Sequence, residues 1–220
     1  MIGSRDNERL KLVRKLHDKR WREKLGLFFV EGEDAVDAAT AAPVDLLRAD
    51  VDVEAKLLAD VASAPHPPRV VGVYRRADLP AWEERPATLA LWRLADPGNV
   101  GTLIRTADAF GAAVALSDGC ADPTSPKALR ASAGSIWRVP LADWDAVRGT
   151  RVGLVAHDGE PLASLPLEGR VTLLLGAERE GLPDDVERDV DATIPIVGAE
   201  SLNVAATGAI ALYELARRQT

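Results

Sequence analysis

The carboxyl-terminal stretch of the sequence constrains the fold more than any other. From Leu202 to Tyr213 it contains no charged residue, so a helix here has no solvated face of ordinary width. We expect Ser201 to cap this helix, which ends near Arg218 and follows a short strand at 194–197. One side of the helix can lie on the chain's own sheet. The other side predicts a partner subunit, since small residues would let another backbone approach closely: Ala205, Ala206, Gly208, Ala209 and Ala211.

Composition narrows the class of protein. The chain of 220 residues suffices for one large domain or two small ones, and 47% hydrophobic with 28% charged residues is ordinary for a globular protein. No apolar run is long enough to cross a bilayer and the amino terminus is not signal-like, so we expect a cytoplasmic protein without membrane contact. Cys120 is the single cysteine, and the three histidines are too scattered to predict a metal site: His17, His66 and His157.

Charge is distributed unevenly along the chain. The net charge of −7 argues mildly against nucleic acid, yet residues 1–30 carry nine Lys and Arg against four Asp and Glu. We predict a helix over 6–24, ended by Gly26. Its cations either form an ordinary solvated face or contact nucleic-acid phosphates, and the candidates for such contact are Arg9, Arg14, Lys15 and Arg20.

Apolar runs and breaking residues divide the chain in two. A small α/β domain over residues 1–80 is predicted from short strands and helices that alternate, near 27–30, 33–39, 44–48, 53–62 and 69–74. Residues 75–86 lack periodicity and are predicted to form a linker. A second domain over 87–220 is predicted from buried strands at 88–94, 113–117, 136–140, 151–157 and 171–175.

The first strand of the second domain leads into a glycine-containing turn and a helix, Asp96-Pro97-Gly98-Asn99-Val100-Gly101-Thr102-Leu103-Ile104-Arg105. Such an arrangement lets backbone approach a ligand. A dinucleotide-binding interpretation lacks its three-glycine fingerprint, because only Gly98 and Gly101 are present. Downstream, the segment 125–135 begins a short helix whose Lys127 and Arg130 are either exposed charges or phosphate contacts.

A second glycine-containing loop follows the apolar run 171–175, with the sequence Gly176-Ala177-Glu178-Arg179-Glu180-Gly181-Leu182-Pro183. One interpretation is a strand-to-helix turn with a charged surface, since Pro183 suits the start of a helix. The other is a loop that folds over a cofactor, with two glycines bracketing a glutamate. The residues alone leave both open.

These two segments, together with Pro195, Gly198 and Ser201-Leu202-Asn203-Val204, resemble in order the three motifs of the SpoU/TrmH-type RNA 2′-O-ribose methyltransferases of the SPOUT superfamily. The resemblance covers the second domain, and the run 28–32 resembles the opening of the RNA substrate-binding domain that precedes it in many members. It implies a doubly wound parallel α/β sheet tied in a trefoil knot, and a homodimer. One departure follows Val204, where the family commonly has serine and valine and this chain has Ala205-Ala206.

The resemblance also implies a cofactor, a substrate and roles for residues. The cofactor is S-adenosylmethionine, and the residues implied to bind it are Gly176, Ala177, Gly181, Ile196, Ser201 and Leu202. The acceptor is a ribose 2′-hydroxyl in structured RNA, ribosomal RNA more than transfer RNA. Arg105 acts on this hydroxyl, and the residues that orient it, the RNA phosphate and the cofactor are Asn99, Glu178, Ser201 and Asn203.

The role of Arg105 has two interpretations. A free guanidinium loses its proton only above pH ~12, so Arg105 is either a base perturbed by neighbouring charge and burial or a positioning group. Two other functions compete with methyl transfer: a catalytically silent RNA-binding module and a nucleotide-dependent oxidoreductase.

Overall fold

Two β-sheets organise the protein in the computed structural model, which describes residues 1–63 and 66–218. The smaller sheet lies in an amino-terminal unit whose elements are α1 (Glu8–Lys15), α2 (Lys19–Leu25), β1 (Leu27–Glu31), α3 (Glu33–Asp37), β2 (Asp45–Arg48), α4 (Ala55–Ala59) and β3 (Val70–Arg75). Its strands pair antiparallel in the order β1-β3-β2. The three strands fall where the sequence predicts them, whereas the helix predicted over 53–62 shortens to α4.

The prediction of one helix over 6–24 is wrong, because this segment forms the two helices α1 and α2. The side chain of Asn7 caps α1 by accepting the backbone N–H two residues on at 3.0 Å, and Asp18 caps α2 in the same way at 2.8 Å. The second cap starts a new helix at Lys19, inside the segment predicted to form one helix. Gly26 ends α2 in the left-handed conformation with φ of 63°, as predicted.

The larger sheet contains seven strands in the described part of the chain: β4 (Ala87–Leu91), β5 (Ala113–Leu116), β6 (Leu141–Asp143), β7 (Thr150–Leu154), β8 (Glu160–Pro161), β9 (Val171–Leu175) and β10 (Val190–Thr193). They pair in parallel in the order β6-β5-β4-β9-β7-β10-β8. The central strand β9 is buried along its whole length, which explains its uninterrupted apolar sequence. The helices that accompany this sheet are α5 (Pro97–Ala109), α6 (Pro126–Ser132) and α7 (Val204–Arg217). The predicted parallel α/β sheet is confirmed.

The strand predicted over 136–140 is wrong. Residues 135–137 form a 3₁₀ turn, and β6 begins only after it. Trp137 packs against Phe28 and Tyr74 of the smaller sheet, with ring centroids 5.5 and 4.8 Å apart. Packing against these aromatic side chains, which are distant in sequence, outweighs the local strand preference.

The segment before α7 also differs from the prediction. No strand forms over 194–197, since β10 ends at Thr193 and Pro195 has no N–H for a neighbouring strand. Asn203 caps α7 in place of Ser201, because its Oδ1 accepts the backbone N–H groups of Ala205 at 2.9 Å and Ala206 at 3.3 Å. The helix itself runs to Arg217, close to the predicted end.

One side of α7 packs against the rest of the protein, and the other side is exposed. Gly208 faces the sheet, where an added Cβ would stand 2.4 Å from Leu103 and 3.2 Å from Leu175. On the outward side Ile210 is 41% exposed and Tyr213 58%. The uncharged helix therefore leaves apolar side chains uncovered, as its sequence suggests.

A buried ion pair joins the two units. Arg22 of α2 donates through Nε to Asp122 at 2.8 Å, and both side chains are 3% exposed. Arg76 makes a second contact to the same carboxylate at 3.3 Å. Removing either partner would leave a charge buried alone, so this contact fixes the amino-terminal unit against the loop after β5. The domain boundary between residues 80 and 87 stays a prediction.

Three further properties bear on function. Among residues 1–63 and 66–218 no helix is both long and apolar enough to cross a bilayer. The same residues bring together no group of three or more side chains of the kinds that hold metal ions. The half-buried Cys120 donates its thiol hydrogen to the carbonyl of Leu91, with 3.1 Å from sulfur to oxygen, which suits a structural role.

Candidate active site

A cavity of about 620 Å³ lies at the carboxyl ends of β7, β9 and β10. In open parallel α/β sheets, ligands bind at this edge. Its walls are the turn after β9, the segment between β10 and α7, and the residues that follow β7. All six residues that the resemblance implies for the cofactor line it: Gly176, Ala177, Gly181, Ile196, Ser201 and Leu202.

The turn after β9 is closed on itself. Ala177 and Gly181 exchange two backbone hydrogen bonds, of 3.1 and 2.9 Å. A Cβ on Gly176 would stand 2.1 Å from the carbonyl carbon of Gly181, so only glycine lets these backbone segments meet. Gly181 has φ of 69° with open space beside it, so its left-handed conformation, not crowding, explains this glycine. No helix begins at Pro183.

A chain of hydrogen bonds joins all three motifs at the rim of the cavity. Asn203 donates through Nδ2 to Oδ1 of Asn99 at 3.2 Å. Asn99 in turn donates through Nδ2 to Oε1 of Glu178 at 3.1 Å. The Glu178 carboxylate also accepts the backbone N–H groups of Ala95 and Asp96, each at 3.3 Å. The turn after β9 is thereby tied to the start of α5 and to the cap of α7.

These hydrogen bonds determine the orientation of the side-chain amides of Asn203 and Asn99. The N–H groups at the start of α7 can only donate, so the atom of Asn203 that faces them is Oδ1 and its NH₂ group must face Asn99. Asn99 then presents its oxygen to Asn203 and its NH₂ group to Glu178. Each of the hydrogen bonds that the Glu178 carboxylate makes to Asn99, Ala95 and Asp96 is therefore accepted from a donor, which favours the ionised form of Glu178.

Electrostatics agree with this arrangement. Burial raises the pKa of Glu178, but the hydrogen bonds from Asn99 and from backbone N–H groups outweigh it and hold the pKa below its ordinary value. The pKa of Asp96 is also lowered, by hydrogen bonds from Lys127 and from the N–H of Gly98. Both carboxylates are charged at neutral pH, so they position neighbouring groups rather than deliver protons.

Arg105 and Ser201 occupy exposed positions. Arg105 lies on α5, six residues after Asn99 and so about 9 Å further along the helix axis. Its guanidinium has neither an ion pair nor a hydrogen bond to any residue that the structure describes, and it does not line the cavity. Ser201 lines the cavity beside Leu202.

Among the residues that the structure describes, some of those proposed to contact RNA are paired with carboxylates, and the others are not. Arg9 forms a bidentate contact with Asp45, Lys127 binds Asp96 at 2.6 Å, and Arg130 binds Glu31 at 2.6 Å. Arg14, by contrast, donates to the backbone carbonyl of Arg5 at 2.7 Å. The remaining two, Lys15 and Arg20, lie 5.3 and 5.7 Å from the ring centre of Trp21.

Sequence reasoning missed part of the cavity wall. The residues that follow β7, including His157, and Ile194 after β10 contribute to it. The carboxyl ends of parallel strands share one edge, so the loop after β7 could have been included once its strand was recognised. The position of the loop after β7 beside the turn after β9 depends on the order of the strands in the sheet. No local sequence pattern predicts that order.

The fold and the cavity define an α/β protein with a ligand site at the carboxyl edge of a parallel sheet. Residues 86–213, more than half of the chain, match the SpoU rRNA Methylase family. The chain belongs to this family. It is 32% identical to a 23S rRNA (guanosine(2553)-2′-O)-methyltransferase, RlmP, of Bacillus subtilis, over 97% of this chain and 98% of that protein.

Solved structures extend the similarity across both units. An AdoMet-bound rRNA methyltransferase from Sinorhizobium meliloti matches 99% of this chain and 97% of its own, with 30% identity and a TM-score of 0.86. The SpoU methyltransferase AviRb from Streptomyces viridochromogenes, in complex with AdoMet, matches 97% of this chain and 98% of its own, with 27% identity and a TM-score of 0.83. A structure described by 2-OH methylation of C/U34 on tRNA matches only 61% of this chain and 97% of its own, with 31% identity and a TM-score of 0.56.

Proposed function

We propose that this protein uses S-adenosylmethionine to methylate a ribose 2′-hydroxyl of ribosomal RNA. The observation that carries the proposal is the hydrogen-bond chain from Asn203 through Asn99 to Glu178, which joins the three motifs at the rim of one cavity. Family membership supports the chemistry, and the AdoMet named for two structural neighbours supports the cofactor.

The cavity fits this cofactor in size and in character. Its volume of about 620 Å³ lies within the range of 300–1,000 Å³ that is usual for small-molecule sites. Ile194, Ile196 and Leu202 offer apolar surface for an adenine ring, and the turn at 176–181 offers backbone groups. The bound cofactor would supply a methyl group already activated on a sulfonium, so the protein needs no covalent intermediate.

The protein's own groups then have a positioning task. Catalysis by orientation requires that the hydroxyl stay aligned with the methyl group, and the hydrogen-bonded chain holds the surrounding loops in one arrangement. Arg105 stands on the same helix as Asn99 with its guanidinium unengaged among the described residues. We assign to Arg105 the contact with the reacting ribose or its phosphate, where a charge-assisted hydrogen bond is strongest.

The amino-terminal unit favours ribosomal RNA over transfer RNA. The rRNA methyltransferase structure covers nearly all of this chain, whereas the structure concerned with tRNA covers 61% of it. In the extra unit, Lys15, Arg20 and Lys24 surround Trp21, with their charged groups 5.0 to 5.7 Å from its ring centre. Cations that form no ion pair with the described residues, beside a half-exposed indole, suit RNA phosphates and bases.

We also propose that two copies of the chain associate through α7. Ile210 and Tyr213 on its outward side are exposed apolar side chains that a second copy would cover, and Phe110 at the end of α5 is exposed as well. The trefoil knot stays a prediction of the family resemblance, and a cytoplasmic location follows from the proposed substrate.

Transfer of labelled methyl from S-adenosylmethionine to separate pools of unmodified ribosomal and transfer RNA tests the proposal. We expect label in ribosomal RNA, and loss of that label with Arg105→Ala. The control is Arg170→Ala, which removes an exposed arginine paired with Glu84 at the opposite edge of the same sheet. Label in transfer RNA alone would keep the chemistry and change the substrate. Binding of RNA and cofactor without transfer to either pool would favour a silent binding module.

A further inference from the structure

Arg93, directly after β4, has a backbone conformation that is unusual for its residue type. Its φ is 50°, in the left-handed region that arginine rarely adopts. Two hydrogen bonds hold the backbone there. Trp92 donates its N–H to the carbonyl of Leu175 at 2.8 Å, and Arg93 donates its own N–H to the Ser117 hydroxyl at 2.9 Å. The residue is thus fixed between the ends of β9 and β5.

The side chain of Arg93 is held along its stem and exposed at its end. Its guanidinium lies 5.5 Å from the ring centre of Trp92, which packs edge-on against Trp144 at 5.1 Å. On the other side, a Cβ added to Gly119 would stand 3.2 Å from Cγ of Arg93. Stacking on an indole restricts a guanidinium without neutralising it.

Apart from the Trp92 ring, the charge of Arg93 has neither an ion-pair nor a hydrogen-bond partner in the described structure. Among residues 87–218, three guanidinium groups form neither an ion pair nor a hydrogen bond, those of Arg93, Arg105 and Arg179. The other arginines of this unit engage carboxylates or carbonyls. In a chain of net charge −7, where most arginines are engaged, an unengaged cation is available to an anion from outside.

Arg93 stands at the rim of the site but outside the cavity. The residue before it is bonded to Leu175, which directly precedes the turn at 176–181, and Ala95 and Asp96 just after it donate to Glu178. Arg93 does not line the cavity, so its charge is not directed at the cofactor site. The anion that must reach this rim, given the proposed function, is the phosphodiester backbone of the RNA.

We propose that Arg93 binds a backbone phosphate of the RNA substrate beside the ribose that is methylated, and so sets the register of the RNA on the site. This inference rests on the proposed function. A phosphate contact explains why arginine stands where the left-handed backbone would favour glycine or asparagine. The guanidinium compensates for the backbone strain by binding the RNA. Covering Trp92 alone would not require a charged residue at this strained position.

The variants Arg93→Gly and Arg93→Asn distinguish an arginine that binds an RNA phosphate from one that only covers Trp92. Both residues accept the left-handed backbone and neither carries charge, so we expect thermal midpoints equal to or above that of the original protein. We expect the Kd for unmodified ribosomal RNA, measured with S-adenosylhomocysteine bound, to rise roughly tenfold in both. The slope of log Kd against log salt should fall by about one unit, as for one lost phosphate contact. The Kd for S-adenosylmethionine should not change.

Two further variants complete the test. Arg93→Lys keeps the charge and should recover part of the RNA affinity, while Arg170→Ala should leave it unchanged. RNA affinity and salt slope within twofold of the original protein in both Arg93→Gly and Arg93→Asn would overturn the proposal. If the original protein binds RNA but transfers no methyl, the proposed function fails while the phosphate contact is still judged by Kd. If it binds no RNA, both fail.

Discussion

Substitution of Asn203 separates helix capping from the hydrogen-bond chain of the site. Its Oδ1 caps α7, and its Nδ2 orients Asn99. Asn203→Ala removes both, and loss of the cap should cost about 1 kcal/mol in the free energy of unfolding. For a domain of this size, that lowers the thermal midpoint by about 2–4 °C. The freed N–H groups lie near solvent, so water limits the cost.

Asn203→Asp keeps the cap but reverses the second contact. A carboxylate is an equally good cap and suits the positive end of a helix, so the free energy of unfolding should stay within about 0.5 kcal/mol. Its other oxygen, however, faces the Oδ1 of Asn99. Asn99 can donate to the introduced carboxylate only by turning its own oxygen toward the ionised Glu178, which is repulsive. We expect at least a tenfold loss of methyl transfer at pH 7 in a protein that remains stably folded.

Thermal unfolding and initial rates of methyl transfer, measured on the same preparations, check both expectations. Asn203→Ser serves as a control, because it keeps a capping oxygen without an amide to contact Asn99. It should be stable and slow, like Asn203→Asp. Wild-type rates in Asn203→Asp would refute the argument that the amide of Asn203 orients Asn99. An unchanged midpoint in Asn203→Ala would refute its role as the cap.

Three other expectations follow from the structure. Gly176→Ala should force apart the backbone at Gly181, which costs about 1–3 kcal/mol, and should weaken S-adenosylmethionine binding measured by calorimetry. Burial raises the pKa of Asp122, but hydrogen bonds from Thr124 and Arg22 outweigh it and keep the pKa below its ordinary value. Asp122→Asn should therefore lower the free energy of unfolding by about 3–5 kcal/mol at pH 7, with a smaller deficit below about pH 4, as chemical denaturation at both pH values would report. Ile210→Glu should halve the mass found by sedimentation without unfolding the chain.

Each expectation has an outcome that contradicts it. Cofactor affinity in Gly176→Ala equal to that of the original protein would count against the close backbone contact. A deficit for Asp122→Asn that does not shrink in acid would show that ionised Asp122 is not the stabilising form. A mass unaffected by Ile210→Glu would place any dimer interface elsewhere.

Local sequence determined much of the fold because its signals coincide with burial. The run Val171–Leu175 could be read as a buried strand, since β9 is covered on both faces. The turn at Gly176–Gly181 could be placed at a ligand site because it follows directly from that strand. The residues implied for the cofactor then share one cavity, since carboxyl ends of parallel strands meet at one edge.

Features that depend on tertiary contacts could not be predicted from the sequence. Ser201 and Asn203 are both good capping residues, and only the contact with Asn99 shows why the second is used. The break between α1 and α2 falls within a segment predicted to form one helix. Trp137 departs from its predicted strand because its partners lie in another sheet. The exposed guanidinium of Arg93 becomes informative only when the structure shows its strained backbone and the absence of an ion pair with the described residues.

The position of the transferred methyl group distinguishes methylation of the ribose from methylation of a base. Ribosomal RNA labelled by the protein would be hydrolysed with alkali, which requires a free 2′-hydroxyl at each cleaved linkage. A methyl group on that oxygen protects the linkage, so we expect label in alkali-resistant dinucleotides. Label released entirely in mononucleotides would place the methyl group on a base and contradict the account.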